Sequence, residues 1–329
     1  MVSAFRPSAL GEALSLLGEA KGERRLVPLA GGTDLMVKWR RAWGRAAGIG
    51  PAFPHPVMFV GHLTELGGAS VADASRNAGS GAETARGSRI LIGAACTFSF
   101  LLAHPAVPAS FKKILSQIAS PAIRNRGTIG GNVCNASPAG DTIPYLYALD
   151  ADAVLQGSGR VRVLPVRALI TGPGTTACLN DELLVSLEVP LVPFNVFFYR
   201  KIGARRSNSC SKLTFLGLAR VEGGVVADVR VCFGAVGPVV VRSPEIEESL
   251  KGREVREIRE RVPSVARSYG GLLKPIEDRR SAARYRMEVS LRLLERFLGY
   301  ELQGGASPPP GASPPPGAAV PGSADGERP

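Results

Sequence analysis

The sequence predicts an α+β protein in which an N-terminal region of alternating short strands and helices precedes a smaller domain of strands and helices. Three observations predict it. Glycine-bounded apolar runs alternate with leucine-periodic helices as far as about residue 180. An antiparallel-looking group of strands follows, at 183–189, 194–202 and 225–236. Helices then dominate to the end of the core, and a length of 329 residues suits about two domains.

Each element has a local reason. Leu10, Leu14 and Leu17 share one face of a helix over 8–18, and the apolar run 26–30 is a strand that enters Gly31-Gly32 directly. Residues 35–41 are helical material. Segments 41–57 and 69–88, rich in glycine, alanine, serine and proline, read as loops. Strands are predicted at 57–63 and 89–97, and helices at 98–103 and 111–118. The stretch 120–141 carries too many glycines and polar residues for a regular element and reads as a long functional loop. A helix at 143–150 and strands at 151–157 and 160–166 complete the first region. After the β group come helices at 253–262 and 281–298. The latter carries Tyr285, Val289, Leu293 and Phe297 at four-residue spacing, with Glu288 four residues before Arg292. From Gly304 the hexapeptide GASPPP occurs twice, and proline, glycine and serine at this density predict a disordered tail over 304–329. The predicted domains are 1–180, with subdomains of about 1–60 and 61–180, then 181–303 and the tail.

Composition removes several classes of function. No run approaches the roughly 18 apolar residues that a membrane-spanning helix needs. Glu12 and Glu19 among the first leucines give an amphipathic helix and not a secretion signal, so a cytoplasmic protein is expected. The net charge of +12 is mostly arginine, with only eight lysines, and is scattered; short clusters occur at Arg40-Arg41, Arg205-Arg206 and Arg279-Arg280. No recognition helix or aromatic platform accompanies it, so nucleic acid is not the expected partner. Cysteines 96, 134, 178, 210 and 232 have no C-x-x-C spacing, which excludes a disulfide framework, a zinc site and an iron–sulfur cluster. Histidines 55, 62 and 104 form no metal triad. No metal ligands and no catalytic side chains are predicted. Demanding chemistry must come from an organic cofactor or from another chain.

Two glycine motifs are candidates for binding. In Ala30-Gly31-Gly32-Thr33-Asp34-Leu35, between strand and helix, paired glycines allow close approach and the helix start presents amides to an anion. Thr33 or Asp34 is the expected N-cap. A plain strand–turn–helix corner is the competing reading, since neither G-x-G-x-x-G nor a Walker loop is present. In Gly127-Thr128-Ile129-Gly130-Gly131-Asn132, followed by Asn135 to Asp141, successive amides beside small polar side chains are the ingredients of an anion nest. Here the competing reading is a glycine-rich surface loop. Two such loops together favour a cofactor with a pyrophosphate.

With LAGGTDL (29–35), RNRGTIGGNVCNASPAGD (124–141) and DRRSAARYR (278–286), the chain resembles the FAD-binding subunit of the xanthine dehydrogenase and carbon monoxide dehydrogenase family of molybdenum hydroxylases over about 4–301. The resemblance implies a two-lobed FAD-binding domain of the vanillyl-alcohol-oxidase/p-cresol-methylhydroxylase type, then a C-terminal domain of the CO dehydrogenase flavoprotein type. It implies that Leu29, Ala30, Gly31, Gly32, Thr33, Asp34 and Leu35 wrap the FAD pyrophosphate and that Thr128, Ile129, Gly130, Gly131 and Asn132 form a second wall. It further implies that Asp141 holds a polar group of the cofactor, and that Ile118, Leu184 and Lys201 contact it. Its partners would be a molybdenum cofactor-binding large subunit and a [2Fe-2S] small subunit, with NAD⁺ or another acceptor receiving electrons. Segments 41–57 and 69–88 are longer or more irregular than the family pattern, and the tail lies outside it. A self-contained FAD oxidoreductase and a non-enzymatic scaffold that keeps the fold are the alternatives.

Overall fold

The computed structural model describes residues 3–20, 25–43, 55–72, 87–205 and 208–304. The chain begins with β1 (Ala4–Phe5), α1 (Leu10–Glu19), β2 (Val27–Leu29), α2 (Leu35–Trp43) and β3 (Val57–Phe59). These strands form a parallel sheet in the order β1-β3-β2, with Phe5 opposite Met58 and Leu29 opposite Phe59. Helices between the strands permit the parallel direction. On α1, Ala13, Leu14 and Leu17 are buried against Leu26, Met58 and Leu183, the last from a later strand.

The middle of the chain holds β4 (Ala69–Ala72), β5 (Arg89–Gly93), α3 (Phe98–Ala103), α4 (Ala109–Leu115), α5 (Pro121–Arg124), α6 (Ile129–Asn135) and α7 (Ile143–Ala148). It continues with β6 (Asp152–Gly157), β7 (Arg160–Pro165), α8 (Val166–Leu169), β8 (Ile170–Gly172), β9 (Thr175–Thr176) and β10 (Glu182–Pro190). Five of its strands make an antiparallel sheet in the order β4-β5-β10-β6-β7. Its core joins Ile90, Ile92, Ala153 and Leu155 to helix residues Leu101, Phe111, Ile129 and Leu146.

A meander of β11 (Val196–Ile202), β12 (Leu213–Glu222) and β13 (Val225–Gly234) follows, then α9 (Pro244–Glu248), α10 (Val255–Leu272) and α11 (Ala283–Gly299). Phe198, Phe215, Phe233 and Phe297 form an aromatic core with Tyr269.

Several expectations need correction. Residues 69–72 are an edge strand, not loop, and 120–141 contains α5 and α6. Those helices form because Ser120 Oγ accepts from the Ile123 amide and Thr128 Oγ1 from the Gly131 amide, so caps offset the glycines. The strand expected over 183–189 to open the second domain is β10, which pairs with β5 and β6. The five-stranded sheet therefore takes in residues beyond the expected boundary at 180. α10 does not stop at Arg261-Val262; it continues through Pro263, where the helix tolerates the missing donor because its buried face continues as Val265, Ala266 and Tyr269. Glu288 pairs with Arg284, not Arg292 (2.7 Å). The remainders of the two expected loops, 44–54 and 73–86, and the tail from 305 lie outside the described residues.

Leu302, only 2% exposed, is the final core side chain of the described residues. Removing 305–329 should therefore leave the urea midpoint unchanged; a truncated protein that loses stability or solubility contradicts this.

Candidate functional site

All three strands of the parallel sheet end at one cleft. β1 runs into Arg6, β2 into Ala30 and Gly31, and β3 through Val60 into Gly61 and His62; each of these residues except Val60 lines the cleft. Ala95 and Thr97, just past the end of β5, and Asn125, Arg126 and Thr128 close the opposite wall. The carboxyl ends of parallel strands are where open α/β sheets hold ligands, because loops diverge there. The cavity volume is about 390 Å³, within the range of ligand sites.

Backbone contacts fix the walls. Phe98 donates to the Gly127 carbonyl (3.1 Å), Ile129 to that of Cys96 (3.0 Å) and Gly130 to that of Ala94 (2.9 Å). At the floor, Gly31 meets the Arg126 peptide so closely that a β-carbon would lie 1.9 Å from the Arg126 oxygen. Gly32 has φ +70°, a conformation that favours glycine. Lys38 of α2 donates to Asn135 Oδ1 of α6, tying the first glycine motif to the second. His62 Nε2 donates to the Pro7 carbonyl (2.8 Å), which holds the imidazole at the cleft edge.

The two motifs differ in what they can offer a ligand. Every amide at the start of α6 already donates inside the protein: Ile129 to Cys96, Gly130 to Ala94, Gly131 to Thr128 Oγ1 (3.1 Å) and Asn132 to the Thr128 carbonyl. The donors of the expected second anion nest are thus taken up by capping and by packing on the segment after β5, and of Thr128 to Asn132 only Thr128 lines the cleft. The Asn132 side chain is likewise occupied, accepting from Thr142 Oγ1. In the first motif, the amides of Gly31, Gly32, Thr33 and Asp34 have no acceptor among the described residues. Asp34 takes the N-cap position of α2, its carbonyl accepting from the Lys38 amide (2.9 Å). Free amides at the start of a helix suit an anion.

The other predicted residues scatter. Leu29 is buried behind the cleft, and Leu35 begins α2. Ile118 and Leu184 are core residues of the five-stranded sheet region, and neither lines the cleft. Asp141, expected to hold a polar group of a ligand, is 8% exposed, and both its oxygens are taken. Lys201 Nζ reaches Oδ2 at 2.6 Å and Ser211 Oγ donates to Oδ1 at 2.6 Å, while Lys201 also donates to the Gln117 carbonyl (3.0 Å). Burial pushes the Asp141 carboxyl up, and Lys201 and then Ser211 oppose it. This cluster joins β11 to the turn after α4 and to the segment before α7. Sequence reading missed Arg6, Phe59, Gly61, His62, Ala95, Thr97, Asn125 and Arg126 as cleft residues. A signal existed for some of them, since Gly61-His62 follows a strand as Gly31 does.

Thr128→Ala should remove the α6 cap and cost about 1 kcal/mol, read as a lower urea midpoint; an unchanged midpoint would show that the cap contributes nothing.

Comparison with known proteins identifies the family and the fold. Residues 1–192 match the FAD binding domain in molybdopterin dehydrogenase, and 198–300 match the CO dehydrogenase flavoprotein C-terminal domain. The chain belongs to this family of FAD-binding oxidoreductase subunits. It is 25% identical over 296 residues to the carbon monoxide dehydrogenase medium chain of Hydrogenophaga pseudoflava, covering 89% of this chain and 94% of that one. It is 27% identical over 292 residues to the glyceraldehyde dehydrogenase medium chain of Sulfolobus acidocaldarius, covering 87% and 93%. Among solved structures, the carbon monoxide dehydrogenase of Hydrogenophaga pseudoflava that lacks the Mo-pyranopterin moiety superimposes with a TM-score of 0.77. That match has 25% identity and covers 93% of this chain and 98% of the other. The fold is accordingly an FAD-binding domain followed by a CO dehydrogenase flavoprotein-type C-terminal domain. The residues at the cleft fit FAD: Gly31 lines it and the unpaired amides of 32–34 follow directly, a row that suits a diphosphate, and Phe59, 40% exposed, offers a ring at the wall.

Proposed function

We propose that the chain is the FAD-carrying electron-transfer subunit of a multi-subunit molybdenum hydroxylase. It would take electrons from a [2Fe-2S] subunit, in a complex with a molybdenum-bearing large subunit, and pass them to NAD⁺ or another acceptor in the cytoplasm. The observation that carries the reading is the row of unpaired amides at Gly31 to Asp34, set at the ends of three parallel strands in a chain of this family. Residues 29–35 hold the diphosphate, and Thr128 to Asn132 form the wall that fixes the loop's position. Asp141 and Lys201 hold the second core to the first, with a domain boundary in the 191–195 connector. Bound FAD supplies the ability to receive electrons singly and release them as a pair. The chain's own part is to bind, orient and shield it. The substrate-choosing pocket belongs to the large subunit.

The test uses purified, flavin-loaded chain. It should transfer electrons from NADH to an artificial dye slowly, and should oxidise neither purine nor aldehyde nor carbon monoxide until both partner subunits are added. If the metal-free chain alone reduced its flavin with a purine or an aldehyde, a self-contained oxidoreductase would replace this reading.

A further inference from the structure

Two arginines line the cleft, and no carboxylate among the described residues pairs with either. Arg6 and Arg126 both line it and both are exposed. Neither guanidinium makes a hydrogen bond or an ion pair among the described residues, and no aspartate or glutamate is among the cleft's lining residues. Elsewhere most described arginines with an acid in reach use it: Arg89, Arg160, Arg162, Arg230, Arg242 and Arg286 all hold carboxylates. The backbone places Arg6 and Arg126 at the cleft. Arg6 leaves β1, and the Arg126 peptide lies against Gly31, the first residue of the unpaired amide row. The amides of Ile129 to Asn132, at the start of α6, have acceptors inside the protein, whereas those of Gly31 to Asp34 have none among the described residues.

We propose that Arg6 and Arg126 are a two-guanidinium grip for the diphosphate of FAD, one from each wall of the cleft, supplementing the amides of Gly31 to Asp34. The inference rests on the FAD reading above. Guanidinium groups suit it because they hold phosphate through paired N–H donors and stay charged at all working pH values. Because both residues are exposed, a grip made by them depends on ionic strength, since exposed charges are screened.

The experiment titrates FAD and riboflavin into full-length chain freed of flavin, by fluorescence quenching, at about 0.05 M and about 0.5 M salt. Four variants accompany the wild type: Arg6→Ala, Arg126→Ala, the double alanine variant and Arg6→Lys/Arg126→Lys. Arg259→Ala, which removes an exposed arginine away from the cleft, controls for net charge. Each alanine should weaken FAD binding about tenfold, the lower end for a charge-assisted hydrogen bond. The double variant should lose most of the salt response, the lysine pair should keep it, and riboflavin, which has no phosphate, should bind all forms alike. Wild-type-like FAD affinity and salt response in the double variant would overturn the grip while leaving the FAD reading intact. An equal loss for riboflavin, or an equal loss in Arg259→Ala, would overturn it too. Failure of the wild type to bind FAD would overturn the functional reading itself.

Discussion

Gly31→Ala should abolish FAD binding and destabilise the N-terminal sheet by about 3 kcal/mol, the upper end for an overpacked site. The added β-carbon would lie 1.9 Å from the Arg126 oxygen, 2.6 Å from its carbonyl carbon and 3.1 Å from Gly127 Cα. All three are backbone atoms, so no rotamer change relieves the clash. The strand-end loop must lift from the opposite wall, which separates the amide row from Arg126. Flavin absorbance of the purified variant and its urea midpoint report the two effects. A variant that keeps its flavin would show that the cleft floor is not the cofactor seat.

Lys201→Met should cost roughly 3–5 kcal/mol, the range for removing one partner of a buried ion pair. Lys201 and Asp141 have side chains 9% and 10% exposed. Without the ammonium, the carboxylate keeps its burial and retains only Ser211 as a donor. The Asp141 carboxyl, already pushed up by burial, must rise further. The folded state then binds a proton that the unfolded state has released, so stability is greatest at low pH and is lost as pH rises through the folded pKa. Urea denaturation at stepped pH should therefore show a larger deficit at neutral than at acid pH, and Asp141→Asn added to Lys201→Met should recover most of it. A deficit that grew toward acid pH would mean that the pair is not what the variant breaks.

Much of this was legible in the sequence, for reasons that separate the successes from the failures. The α11 stripe of Val289, Leu293 and Phe297 is buried as its spacing requires. Strands such as β5 announce themselves by apolar runs between glycines. β12 went unseen because Leu213 to Ala219 is buried throughout, so it lacks alternation and resembles any apolar run. β4 is four residues long, and alanine and serine, which carry little strand signal, surround its single valine, Val71. The free amides of the first glycine motif were legible because the motif lies between a strand and a helix start. The engagement of the second motif's amides was not, since whether an amide is free depends on Ala94 and Cys96, which lie more than thirty residues earlier. Arg6 and Arg126 are unremarkable among so many arginines until the end of β1 and the turn between α5 and α6 are known to line one cleft. Asp141 and Lys201 pair across 60 residues, a distance over which no local pattern speaks.

The most direct test of the account is a crystal structure of the full chain with FAD bound. The diphosphate should lie within hydrogen-bond distance of the amides of Gly31 to Asp34, between the guanidinium groups of Arg6 and Arg126. A diphosphate seated instead at the start of α6, or in the cavity lined by Tyr145, Phe194 and Phe197, would contradict it.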